Sequence, residues 1–351
     1  MNKQVDYIIV GFGLAGLTFA EQLRKNNKSF IVISKLNKSS SIVAGGMYNP
    51  VILKRFTLAW KANEQLKTAI PFYQKIEAYL QDSFLVPLPL YRIFNNIEEQ
   101  NNWHIAADKP TLSPFLSQKF IENNNQYIQA NHKFGNVTQS GRLKVGHLIN
   151  SYLKTLLEKQ QFIEGKFEYQ SLIQNTNSIT YKNYTAKNIV FCEGFGMKDN
   201  PLFNYLPLKP SKGETITIEA KNLNLTSIVK SGVFIVPTGT INQYLVGATY
   251  NWTDETWDAT LNGKEELIRK LNKFITCPYT VVQQLAGIRP TVKDRRPLLG
   301  QHPTHKNTYI LNGLGTRGVI AAPTVSKQLF DYIEHKTPLD PTIDIQRFPY
   351  N

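Results

Sequence analysis

Two arginines stand where a guanidinium needs an anionic partner. Arg289 lies in "AGIRPTVKDRRPLLG" (286–300) among small and apolar residues. Arg317 lies in "LNGLGTRGVIAAPTVSKQL" (311–329), in a glycine turn that leads into a helical pattern. An unpaired charge away from water is costly, and the planar guanidinium fork matches a carboxylate. A protein acid such as Asp294 could fill that role as well as a bound carboxylate, so both partners stay open.

A second chemistry is written in glycines. Gly11, Gly13 and Gly16 form G-x-G-x-x-G, with Leu14 and Ala15 between the last two. The first glycine allows a tight turn, the second lets backbone approach a pyrophosphate, and the third permits close packing of helix on strand. Free N–H groups at the start of the helix then face phosphate. The next strand ends on Ser34-Lys35, where an Asp or Glu usually meets the ribose hydroxyls. Three readings are open there: an NADP 2′-phosphate pocket, a flavin site with a hydroxyl contact, or a Lys35 that only faces water. Just beyond, "SSSIVAGGMYNP" (39–50) supplies three serines suited to phosphate and Gly45-Gly46-Met47, suited to backbone passing a flat ligand.

Positioning these groups takes a definite set of elements. "DYIIVGFG" reads as a buried strand ending in a turn, "LAGLTFAEQLRKN" as a helix and "KSFIVIS" as a second buried strand. That βαβ unit demands a parallel sheet. Residues 58–80 have helical spacing, with Pro71 expected to break or kink them. The stretch 85–140 is Pro-punctuated and Asn-rich, with few helical signals. A helix from Val145, a strand candidate "FIEGKFEYQSLI", and a buried strand "NIVFC" ending in glycines come next. "GETITIEA", "GVFIVPT" and "QYLVGATY" alternate as antiparallel strands do, "KEELIRKLNKFI" is helical, and strand, glycine turn and helix close the chain.

Composition narrows the field further. With 42% apolar residues the chain can bury a large core. Cys192 and Cys277 form neither a disulfide framework nor a metal motif, which fits a reducing, cytoplasmic setting. The start loosely mimics a secretory signal, but its three glycines and the amphipathic continuation through Leu23 favour strand, turn and helix. No apolar run reaches the ~18–20 residues of a membrane helix. The net charge of +14 would attract nucleic acid or anionic lipid, yet no run of five basic residues occurs, and a generally basic surface is the favoured reading.

The order and spacing of these pieces resemble the D-amino acid oxidase superfamily of FAD-dependent oxidoreductases, most of all its glycine oxidase and D-amino acid dehydrogenase branch. The likeness is carried by the N-terminal glycine motif, "AGGM" before Pro50, "GRLKVGHL" (141–148), the glycine-ended strand at Ile189–Gly196 and "LKPSKGE" (208–214). It continues through "FIVPTGTINQYLVGAT" (234–249), "GIRPTVKDRRPLLG", "GLGTRGVIAAPT" and the closing "IDIQRF". It implies an α/β fold with a Rossmann-like FAD-binding domain built from discontinuous segments (1–80, 141–213 and 286–351). An inserted, mainly antiparallel-sheet substrate domain would occupy 81–140 and 214–285.

The resemblance also implies non-covalent FAD, since no cysteine stands near Arg289 or Arg317. The flavin ring would lie between the Gly45–Met47 loop and the turn Gly313, Gly315, Thr316, Arg317, Gly318, Val319 and Ile320, with Gly194 at the strand end beside it. The implied reaction is hydride transfer from an amine-bearing carbon to flavin N5, giving an imine that water hydrolyses, with O2 or a quinone as final acceptor. Arg289 would grip the carboxylate of a small amine substrate, Arg317 would stand at the pocket mouth and Met47 beside the reacting centre. The same fold serves as the oxidase half of bacterial tRNA wobble-uridine modification enzymes, which makes nucleic acid an alternative partner, and Ser34-Lys35 with Phe234 leave open a flavin- or NADP-binding protein without amine oxidation. Three departures stand out: Ser34 for the ribose acid, Phe234 where a hydroxylated ring is common, and Glu193 placing a carboxylate towards the cofactor side.

Overall fold

The computed structural model describes residues 3–36 and 39–350. Its helices are α1 (Leu14–Lys25), α2 (Ser40–Val43), α3 (Ala62–Leu80), α4 (Ile97–Ala107), α5 (Val145–Glu158), α6 (Leu261–Leu271) and α7 (Gly318–His335). Two large sheets organise the chain. The first is centred on Lys3–Val10, which pairs in parallel with Phe30–Ser34 on one side and Tyr184–Phe191 on the other. Phe162–Glu164 extends it beyond Phe30–Ser34, and Thr308–Asn312 pairs in parallel with the far end of Tyr184–Phe191. Antiparallel strands finish the edges.

The continuous apolar runs of this sheet follow from burial on both faces. Tyr7, Ile9 and Val32 face a core shared with α1, α3, α5 and α7, whereas Ile8, Val10, Ile31 and Ile33 face a second cluster containing Phe167, Phe191 and Phe203. No helix among the described residues is long and apolar enough to cross a membrane.

The second sheet runs Thr280–Arg289, Ser211–Glu219, Gln243–Gly247, Phe234–Pro237, Ile228–Lys230, Leu90–Ile93, Phe134–Val137, and is antiparallel except where Ile228–Lys230 meets Leu90–Ile93. Alternation splits its residues by face. Ile216, Ile218, Val229, Ile235 and Val246 pack with Leu267 and Leu271 of α6, leaving Thr215, Lys230, Phe234 and Gly247 on the opposite face, over a cavity. Two strands, Ser211–Glu219 and Thr280–Arg289, run across the junctions expected at 213 and 286.

Local expectations need three corrections. Pro71 does not break α3, which passes through it. Pro71 and Lys67, whose carbonyl loses its donor, are both exposed, so water can take that carbonyl. Leu66, Ala69, Phe72, Tyr73 and Ile76 stay buried on the inner face. The Asn-rich stretch holds α4, which buries only Trp103, Ala106 and Ala107 and so shows little periodicity. Its signal is a cap: Asn96 Oδ1 accepts the Glu99 N–H at 2.8 Å. Finally, the strand candidate at 162–173 is two strands, Phe162–Glu164 and Leu172–Gln174, separated by a turn at Tyr169–Ser171.

Candidate active site

The glycine loop forms because the first strand runs directly into it. Gly11 N–H donates to the Ile33 carbonyl at 2.9 Å. Its φ of +98° suits glycine, and a methyl there would lie 2.5 Å from the Cys192 carbonyl. A methyl on Gly16 would overlap the Gly11 carbonyl, so α1 sits directly on the loop. Gly13 begins α1 without a side-chain cap. The Leu14 N–H instead donates to Ser41 Oγ at 3.0 Å, and Ser39 Oγ accepts from the Ser41 N–H at 3.2 Å. The serine run thus covers the helix N-terminus. Ser34 Oγ accepts from Phe12 N–H at 3.1 Å, and Lys35 is exposed.

A cavity of about 480 Å³ opens from that point and runs beneath the second sheet. Leu14, Gly45–Met47 and Gly315–Ile320 line it together with Arg289 and Arg317. The helix α7 also starts there without a side-chain cap, and Tyr73 Oη fixes its first turn by donating to the Val319 carbonyl at 2.8 Å. Other expected contacts stand outside the lining. Gly11, Gly13, Gly16, Ser34 and Lys35 form the adjoining loop and strand end, and Ala15 is buried in the core beside it. Gly194 accepts from Asn312 Nδ2 at 2.9 Å, and Gly313 is wedged behind the wall against Val292.

Among the described residues neither arginine has a protein acid. The half-buried Arg289 guanidinium stands over Gly213, with Nη1 3.5 Å from the Ser211 carbonyl, Nη2 3.3 Å from that of Thr249, and the Tyr250 ring centroid 4.4 Å away. Asp294, the candidate protein partner, is bound instead by Arg347 Nε at 2.8 Å. Arg317 donates to the carbonyls of Asn49 and Val51 at 3.0 and 3.4 Å. Among the described residues no carboxylate forms an ion pair with either arginine. Burial accordingly lowers the pKa of both guanidiniums.

Glu193 does not direct its carboxylate to the cavity. Its oxygens accept from Tyr169 Oη and Asn200 Nδ2, each at 2.6 Å. Burial pushes this carboxyl up to about 7, although both hydrogen bonds pull it down. Burial also raises the Cys192 thiol pKa far above its ordinary value, as befits an inert core cysteine.

Several contributors carry no sequence signal. Arg142 donates to the Gly45 carbonyl at 3.1 Å and to the Pro237 carbonyl at 2.7 Å, so it ties the glycine pair to the second sheet. Tyr250 stacks on Arg289, Lys230 lines the cavity, and Glu164 lies in register beside Ser34 on the neighbouring strand. Register across strands creates these juxtapositions, and no linear spacing announces them.

The DAO family model, described as FAD dependent oxidoreductase, matches residues 6–332. The glycine oxidase of Bacillus licheniformis is 23% identical over 358 aligned positions, covering 95% of this chain and 94% of that protein. The tRNA 5-methylaminomethyl-2-thiouridine biosynthesis bifunctional protein MnmC of Idiomarina loihiensis is 23% identical over 347 positions, covering 92% of this chain but 54% of that longer protein. Among solved structures, glycine oxidase from Bacillus cereus ATCC 14579 has a TM-score of 0.76 at 18% identity, covering 95% of this chain and 96% of the other.

Proposed function

The chain belongs to the DAO family of FAD-dependent oxidoreductases, and we propose that it oxidises the C–N bond of a carboxylate-bearing amine, a small amino acid or a secondary amine acid. One observation carries this reading: Arg289 faces the cavity with no protein acid among the described residues, held by long contacts to two carbonyls and by the Tyr250 ring. A guanidinium in that state is set for a bidentate carboxylate.

The residues present fit FAD. Two helix N-termini, those of α1 and α7, bound the same cavity region: Ser41 Oγ accepts from the first N–H of α1, and α7 starts without a side-chain cap. Such ends favour anionic groups. In this proposal Gly11, Gly13 and Gly16 give the pyrophosphate its close approach, and Ser34 with the in-register Glu164 faces the ribose hydroxyls. When bound, FAD supplies the acceptor for the two electrons and hydrogen leaving the substrate carbon. The chain's own part is to position. Arg289 holds the carboxylate, the Tyr250 ring keeps the guanidinium in place, and Arg142 fixes the Gly45 carbonyl. Arg317 binds the strand at Asn49 and Val51 to the start of α7, and Phe234 closes over Gly45 as an apolar roof. Met47 stands in the wall beside that loop.

The test is anaerobic mixing of the yellow holoenzyme with D-amino acids, glycine, sarcosine and proline. Bleaching by at least one supports the reading, and a flavin that no amine bleaches refutes it. Reoxidation by O2 or by a quinone then assigns the acceptor. The match to the tRNA-modifying protein and the net charge of +14 support a second reading, in which the amine is borne by RNA. Salt-sensitive tRNA binding would favour it, and no binding at low salt would remove it.

A further inference from the structure

Building on that role for Arg289, we propose that the substrate is an extended amine acid carrying a second anionic group, carboxylate or phosphate, and that Lys230 receives this distal group. Lys230, Phe234, Gly247 and Thr215 occupy one row across four strands of the second sheet, each paired in register with the next. Registered side chains share a face, and all four residues line the cavity. The Arg289 guanidinium overlies Gly213, two residues along the strand from Thr215. Three inter-strand steps of about 4.8 Å and two residues of about 3.4 Å put that guanidinium roughly 16 Å from the Lys230 backbone. The Lys230 ammonium itself lies against the Gly232 carbonyl just beyond its own strand, so the two cations stand at opposite ends of this row.

Among the described residues Lys230 has no acid, whereas its cationic neighbours Arg92 and Lys270 each have one. Arg92 is paired with Glu99, and Lys270 with Glu266 at 2.5 Å. Among the described residues Lys230 has no carboxylate partner and donates only to the Gly232 carbonyl at 3.3 Å. Burial, and then the charges of Arg92 and Lys270, push its ammonium down to about 8. An anion placed there would neutralise a charge that the fold leaves uncompensated. Lys54 stands exposed on the same rim and adds to the field. A half-buried lysine beside Phe234 and Leu90 is placed for a ligand that enters the cavity, whereas a polynucleotide backbone is met by an exposed basic stripe.

A length series measures the gap. The holoenzyme is mixed anaerobically with N-carboxymethyl ω-amino acids of increasing chain length and with N-alkylglycines of equal length that lack the distal acid. A member ending in phosphate separates the two anion chemistries. The chain length at which the distal acid first raises kcat/KM measures the span from Arg289 to Lys230. There kcat/KM should exceed that of the neutral partner by about tenfold, the value of one charge-assisted hydrogen bond. Lys230→Met should bring that ratio close to one, and Lys230→Arg should retain it. Calorimetric binding of dicarboxylates against monocarboxylates gives a second readout independent of turnover. If short neutral amine acids bleach the flavin as well as the dianionic ones at every length, Lys230 has no such role while the C–N reading stands. If long dicarboxylates bind tightly but no amine bleaches the flavin, the Lys230 site stands and the C–N reading falls. Displacement of the bound dicarboxylate by tRNA at low salt would overturn the small-molecule assignment.

Discussion

Replacing Arg289 with Met separates a carboxylate-binding guanidinium from a structural one. Two charge-assisted hydrogen bonds at about 1.5–3 kcal/mol each set the gross loss. The long contacts of 3.3 and 3.5 Å to Thr249 and Ser211 show that the free guanidinium gives up little on meeting a ligand. The net loss is then about 3–4 kcal/mol, or roughly 10²–10³-fold in kcat/KM. Because the carboxylate is held alike before and during reaction, most of this loss should appear in KM. Stability should move the other way or stay level. The cation already suffers from burial without an acid, and Met keeps a similar length, offsetting the lost contact with the Tyr250 ring. The assay is steady-state kinetics per bound flavin, alongside a thermal melt. Kinetics within threefold of the parent would refute the assignment, as would a fall in Tm accompanied by ordinary kinetics.

Gly213→Ala should reproduce part of that effect from the other side, because its methyl would overlap the Arg289 guanidinium. KM should rise while flavin content holds, and an unchanged KM would place the guanidinium elsewhere. Gly16→Ala should strip flavin from the purified protein, since its methyl meets the Gly11 carbonyl and pushes α1 off the loop by overpacking worth about 1–3 kcal/mol. Equal flavin absorbance per chain would count against the pyrophosphate site. Glu193, held at about 7 against an ordinary 4.5, binds its proton more tightly in the native state than in the unfolded chain. That stabilisation is complete below the unfolded value and is lost as pH climbs through 7, by at most roughly 3 kcal/mol. Denaturant midpoints of Glu193→Gln should therefore be flatter than the parent's between these pH values, and parallel profiles would sink the argument.

What could be read from the sequence was local in origin. The glycine motif, the parallel βαβ unit and the two arginines are each set by a few adjacent residues, and the structure brings Leu14, Met47, Arg289 and Arg317 to one cavity. Arg142, Tyr250 and Lys230 were invisible because alternation reveals which face a strand residue takes but not which residue lies across from it. Ser34 shows the same limit: the carboxylate in register with it, Glu164, comes from a strand about 130 positions later. The helix α4 escaped notice because an element that buries three side chains leaves hardly any periodic trace. Pro71 does not break α3, since both it and Lys67, whose carbonyl loses its donor, lie on the exposed face of the helix.

The strand Lys3–Val10 has a consequence in time. One of its neighbours, Phe30–Ser34, follows almost at once, but the other, Tyr184–Phe191, comes from much later in the chain. At ribosomal speeds of about 5–20 residues per second, roughly 8–30 seconds separate the two arrivals. Through that interval the first βαβ unit leaves the ribosome with an unpaired, apolar edge of the kind that invites wrong partners. The centre of the parallel sheet is thus among the first parts to be made and among the last to be enclosed.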